Sequence, residues 1–172
     1  MALTYTLIAS NTLSSSAASV TFSSIPATYT DLEIRYSARS NEVDTTTVLA
    51  VTFNNSSATN YSVTRLRGSS SGAGSGFQSN VSYLYYGLFN GANTTSNTFT
   101  NGAIYIPNYT SSANKPSSSF SVLEVNNTTD YFIDINAGLR SVTDAITSIT
   151  LTSTPDQFVS GSTFWLYGIS KN

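Results

Sequence analysis

Side chains able to do chemistry are scarce in this chain, so each can be weighed. Histidine and cysteine are absent. That excludes Ser-His-Asp and Cys-His catalysis, imidazole and thiolate metal sites, and any disulfide. Nine carboxylates and seven cations remain. A glycosidase needs two opposed carboxylates, so acids at fixed spacing come first. Asp31 and Glu33 open an alternating stretch and fall on its polar face. Asp130 and Asp134 have the even spacing that puts both on one side of a strand. For both pairs a solvated strand face is the preferred reading. A Ser–Lys nucleophile would draw on Lys115 or Lys171, which stand in polar loop or terminal surroundings where solvated lysine is expected. Residues 41–44 and 126–130 carry oxygen ligands of the kind calcium takes, but neither has EF-hand spacing. No cofactor, catalytic residue or metal ligand is assigned.

Recognition is the remaining chemistry, and the aromatic residues carry it. Tyrosine occurs eleven times. Tyrosine stacks on sugars and also anchors protein interfaces, giving contact area at low entropy cost. Tyr83, Tyr85 and Tyr86 are too many for one core face, so some of them should lie at a surface or a subunit contact. The alternative is ordinary cross-strand aromatic pairing. Residues 164–169, F-W-L-Y-G-I, hold the single tryptophan. Phe164 and Leu166 fall on one face, Trp165, Tyr167 and Ile169 on the other. A strand apolar on both faces needs cover on both. Tyr83, Tyr85, Tyr86, Trp165 and Tyr167 are therefore the candidate interface, and residues 164–169 the expected interior strand that completes the core.

The elements that must position these residues are strands. At 172 residues, 40% hydrophobic and 12% aromatic, the chain has enough apolar material for one domain with a real core. Charged residues are only 9%, against a usual ~25%. Polarity comes from serine, threonine and asparagine, which suits a surface partly covered by partners or one working outside cells. The net charge is −2, with no basic footprint for nucleic acid. No apolar run approaches the ~20 residues of a membrane-spanning helix. The opening Met1-Ala2-Leu3-Thr4 lacks a signal-peptide pattern, so synthesis in a cytoplasm is expected.

Residues 31–38, D-L-E-I-R-Y-S-A, alternate cleanly: Leu32, Ile34, Tyr36 and Ala38 inward, Asp31, Glu33, Arg35 and Ser37 outward. Residues 46–53 are apolar throughout, as in a buried strand. Further strands are expected at 5–9, 19–23, 61–67, 81–89, 103–106, 120–125, 131–135 and 146–151. Asn90-Gly91 and Asn101-Gly102 read as turns, Pro107 as a strand end, residues 110–119 as a polar loop and 126–129 as a tight connection. Residues 68–76, G-S-S-S-G-A-G-S-G, read as a long flexible loop inside a single domain of residues 1–172. About ten short strands without a helical period predict an all-β antiparallel β-sandwich, with a jelly-roll type favoured over a barrel.

Four stretches carry a resemblance. They are 5–38, 60–68, 103–111 (A-I-Y-I-P-N-Y-T-S) and 145–169, ending in G-S-T-F-W-L-Y-G-I. Together they resemble a family of jelly-roll modules in virion proteins of tailed bacteriophages, particularly phages of aquatic bacteria and cyanobacteria. These are turn and core-strand signatures and transfer no site residues. The resemblance implies a non-enzymatic virion structural protein. Its expected partners are its own copies, most simply as a homotrimer, and the major capsid protein or tail proteins. Starting at Met1, the module reads as the whole protein, which favours capsid decoration. The alternative is a receptor- or glycan-binding tip of a tail fibre or spike, with a host-surface glycan as ligand. A hydrolase using paired carboxylates is a third class. Neither nucleic acid nor membrane is expected as a partner.

Overall fold

A computed structural model describes residues 3–126 and 131–171. Twelve strands and no helix occur among them. They are β1 (Leu3–Thr12), β2 (Ser19–Phe22), β3 (Asp31–Ala38), β4 (Thr46–Phe53), β5 (Tyr61–Ser69), β6 (Gly72–Val81), β7 (Leu84–Asn90), β8 (Thr100–Ile106), β9 (Lys115–Leu123), β10 (Phe132–Arg140), β11 (Ile149–Thr154) and β12 (Thr163–Lys171). An eight-stranded sheet runs β1-β12-β3-β8-β9-β10-β5-β6, and a four-stranded sheet runs β2-β11-β4-β7. All the paired strands are antiparallel. The two sheets pack as a β-sandwich around a common apolar core.

Alternation explains why these segments pair in this way. In β3 the even positions Leu32, Ile34, Tyr36 and Ala38 are all buried. They meet Leu49, Val51 and Phe53 of β4 and Ile149 and Leu151 of β11 in the same core cluster. Burying each leucine, isoleucine, valine or phenylalanine of this cluster is worth about 1.5–3 kcal/mol. β12 lies between β1 and β3, so residues 164–169 do form an interior strand. Phe164 and Leu166 enter the core, and Phe158 just before them stacks on Phe89 (5.3 Å between centroids) and meets Phe164 edge-on at 4.9 Å.

Two glycines let tyrosines into the sandwich. A Cβ at Gly102 would stand 2.4 Å from the Tyr36 hydroxyl, and one at Gly138 would stand 2.4 Å from that of Tyr86. Gly102 therefore works inside β8, where the Asn101-Gly102 dipeptide had read as a turn.

Three other expectations about local structure change, and a fourth falls on residues that are not described. Residues 68–76 are not a loop: they form the end of the β5–β6 hairpin, where Gly68 pairs with Ala73 and Ser69 with Gly72. Backbone hydrogen bonding needs no side chain, so a Gly/Ser composition did not prevent pairing. Asn90-Gly91 is not a hairpin turn, because the chain leaves the small sheet there for the large one. The 91–99 segment winds around Arg39, which donates to the carbonyls of Ala92, Thr94, Thr95 and Thr98. The polar loop after residue 110 ends at Lys115, where β9 begins, earlier than its serines suggested. The 126–129 connection lies almost wholly outside the described residues.

The small sheet covers only part of the large one. Its edge strand β7 packs over β9 and β10. Beyond β7 the β5–β6 hairpin projects, with β6 exposed along nearly its whole length.

Candidate functional site

The carboxylates that the sequence offers as chemistry are mostly structural. Asp31 keeps its place on the outward side of β3 but is not solvated. It is buried, accepting from the Tyr105 hydroxyl at 2.8 Å and the Asn108 backbone N–H at 2.9 Å. These donors hold the chain where Pro107 ends β8. Burial, and then Asp31, push the Tyr105 phenol up to about 12. Glu33 accepts from Arg35 Nε at 2.6 Å on the outer face of the large sheet. Arg35 lies over the rings of Tyr5 and Tyr167, at 5.6 and 5.5 Å. Asp144 pairs with Arg140, whose hydrogen bond holds its carboxyl below the usual range. Hydrogen bonding to Asp156 pushes the Glu42 carboxyl up.

Asp134 is the largest correction. A solvated strand face was expected, yet its side chain is fully buried. Arg67 clamps it with two bonds of 2.6 Å, Nε to Oδ1 and a terminal nitrogen to Oδ2. The same guanidinium donates to the Tyr85 hydroxyl at 2.9 Å, and the Leu88 N–H donates to Oδ2 at 3.1 Å. Asp130 lies outside the described residues, so the expected Asp130–Asp134 pair is not tested. Lys115 is also no solvated lysine. It is buried, and its ammonium donates to the carbonyls of Ser111, Ala113 and Thr143, so it closes the loop instead of serving as a nucleophile. The side chain of Lys171 lies outside the description. Among the described residues no group of three or more carboxylates could hold a metal ion, and the 41–44 stretch forms no such cluster.

These assignments expose an inversion in one half of the large sheet. On β9, Ser117, Ser119 and Ser121 face the interior. On β10, Asp134 and Asn136 do. Ser119 accepts from Asn136 Nδ2 at 3.1 Å, and Ser117 bonds the Tyr86 hydroxyl. Three apolar residues of the same strands, Phe120, Ile133 and Ile135, face out, although Leu123 at the end of β9 is buried. Leu66 of β5 and Phe77 of β6 join them on that outer face. Register makes the row continuous: Ala103 stands beside Phe120, Phe120 beside Ile135, and Ile135 beside Leu66.

The five candidate interface residues divide. Tyr86 is withdrawn: it is completely buried, and burial raises its phenol well above the ordinary value. Tyr83 is half-buried. Tyr85 is half-buried and lies under the Arg65 guanidinium at 4.9 Å. Trp165 and Tyr167 are half-buried on the outer face, level with Arg35 and Glu33, while Ile169 is buried. Phe120, Ile133, Ile135, Leu66 and Phe77 were missed. For Ile133 and Ile135 the signal was the strict alternation I-D-I-N in β10, which states that the two sets part but not which set goes inward.

One small cleft lies on the opposite, inward side of the hairpin. Val63, Arg65, Gly76, Phe77, Gln78 and Tyr85 line about 180 Å³ between the hairpin and β7. The Arg65 guanidinium lies over the Tyr85 ring, and its Nε is buried without a hydrogen-bond partner.

No family model, curated protein or solved structure matches the chain significantly.

Proposed function

We propose that this is a non-enzymatic structural protein of a tailed-bacteriophage particle, bound to the outside of the head as capsid decoration. One observation carries the reading: the apolar outer face of the large sheet, spread over β8, β9, β10, β5 and β6. An exposed apolar surface of this extent suits a protein that spends its working life against other proteins. The ionic groups support the non-enzymatic part, since Asp31, Asp134, Arg39 and Lys115 are spent on holding strands and loops. The jelly-roll assignment, location in the virion, contact with the major capsid protein and assembly with its own copies belong to the same proposal. The family resemblance adds a threefold arrangement of those copies. Immunogold labelling of purified particles is the test. Label over the whole head is expected, and absence of label from particles overturns the reading.

The cleft favours a second reading. Arg65, Gln78 and Tyr85 combine a cation, an amide and a ring, which fits recognition of a glycan at the tip of a fibre or spike. Label confined to the tail, with glycan-array binding lost in Arg65→Ala, would move the assignment there.

A further inference from the structure

We infer that the outer face of the eight-stranded sheet is the surface through which two copies of this chain pack, sheet against sheet, about a twofold axis. The inference rests on the part of the proposed function in which the protein meets its own copies, and not on where in a particle it sits.

The inversion in β9 and β10 is the first ground. An antiparallel sheet with one solvated face places apolar residues inward and polar ones outward. Here Ile133 and Ile135 are each 55% exposed, while Asp134 and Asn136 between and beside them are at most 1% exposed. Hydroxyls and amides at the outward positions would leave the fold intact at less cost. Leu66 at 56% and Phe77 at 69% continue the same face onto the hairpin. A slip of one residue would restore the usual pattern, but three pairings hold the register: Ile135 with Phe120, Ile135 with Leu66, and Thr64 with Phe77. The arrangement is consistent across four strands.

Size is the second ground. At ~4.8 Å per strand and ~3.3 Å per residue, eight strands and six residues span about 38 by 20 Å, roughly 760 Å² in projection. A standard interface takes about 800 Å² per partner. The apolar half alone, five strands wide, covers about 480 Å² in projection.

Charge and shape select the occupant. Glu33 and Arg35 are the accessible charged side chains on this face among the described residues, and they neutralise each other at 2.6 Å, while Asp31 on the same side of β3 is buried beneath the Tyr105 hydroxyl. Accessible charges that cancel within one copy neither repel a second copy nor steer a charged partner toward the face. A broad twisted sheet is best covered by another, at about 10 Å and an angle near 30°. A face laid flat on its own copy is an isologous contact that closes at two copies, whereas a threefold axis would set each face against a different surface of its neighbour. The geometry therefore gives two copies instead of the three that the family resemblance implies.

Sedimentation velocity and sedimentation equilibrium on the full chain, from low micromolar to about 100 µM, test this. The expected species has twice the 18.3 kDa chain mass. Ile135→Asp should weaken the dimer roughly a hundredfold, since the twofold presents the substitution twice. Leu66→Lys should do the same, while Tyr83→Ala, off this face, should not. Circular dichroism that matches wild type in each variant shows that the sandwich is intact, and a variant that fails this check is replaced by Ile133→Asp. A wild-type monomer at 100 µM overturns the inference together with the self-assembly reading. An oligomer that these substitutions leave unchanged, or a stable trimer, overturns the face or the twofold while leaving self-assembly standing.

Discussion

Replacing Arg67 by methionine keeps the length and packing of the side chain but removes the cation from Asp134. The wild-type carboxylate is fully buried and receives two charge-assisted bonds of 2.6 Å from that guanidinium. In the variant it keeps only the Leu88 N–H at 3.1 Å. Breaking a buried pair from one side costs about 3–5 kcal/mol, because a charge is left without compensation. For a chain of this length each kcal/mol lowers Tm by about 2–4 °C, so Arg67→Met should melt about 6–20 °C below wild type. Urea denaturation should show the same loss at an unchanged m-value. Adding Asp134→Asn removes the orphaned charge and keeps an acceptor for Leu88, so the double variant should regain more than half of the loss. A single variant within about 2 °C of wild type, or a double variant no better than the single, would refute the account of Asp134 as a buried, Arg67-dependent strand tie.

Three further expectations follow from the same packing. Lys115→Met should lower stability by about 2–4 kcal/mol in urea, since the carbonyls of Ser111, Ala113 and Thr143 lose their common donor; an unchanged midpoint would mean water replaces the ammonium freely. Gly138→Ala drives a Cβ to 2.4 Å from the Tyr86 hydroxyl and should cost about 1–3 kcal/mol by thermal melting. Tyr36, Tyr86 and Tyr105 all have raised phenol values in the folded protein, Tyr105 at about 12, so the stability they contribute is fully present below pH 10 and is lost as pH rises toward 12. Absorbance at 295 nm should show these phenols ionising above pH 10, later than in the unfolded chain; ionisation of all eleven tyrosines together near pH 10 would contradict their burial.

The all-β class was legible because strand alternation is local. Leu32, Ile34, Tyr36 and Ala38 alternate with polar residues, and the structure buries all four. The interior place of residues 164–169 was legible for the same reason: Phe164 and Leu166 need one cover and Trp165 and Tyr167 another. Absent histidine and cysteine settled which chemistries were closed without any structure. Composition, by contrast, misled where backbone pairing decides: Gly68, Gly72 and Gly74 sit in a hairpin because ladder hydrogen bonds do not depend on side chains. Isolated charge also misled, since Lys115 and Asp134 are buried by partners far away in sequence, Thr143 and Arg67. The outer apolar face is the clearest case of a tertiary decision. I-D-I-N in β10 separates Ile133 and Ile135 from Asp134 and Asn136, but a period of two is symmetric about the sheet plane. Which side turns inward was settled by what lies opposite: β7 presents Tyr85, the Tyr86 hydroxyl and the Leu88 N–H there, polar groups that need partners, and Arg67 and Ser117 of the large sheet meet the two hydroxyls while Asp134 takes the N–H. With those places taken by polar side chains, the isoleucines had only the outer face left.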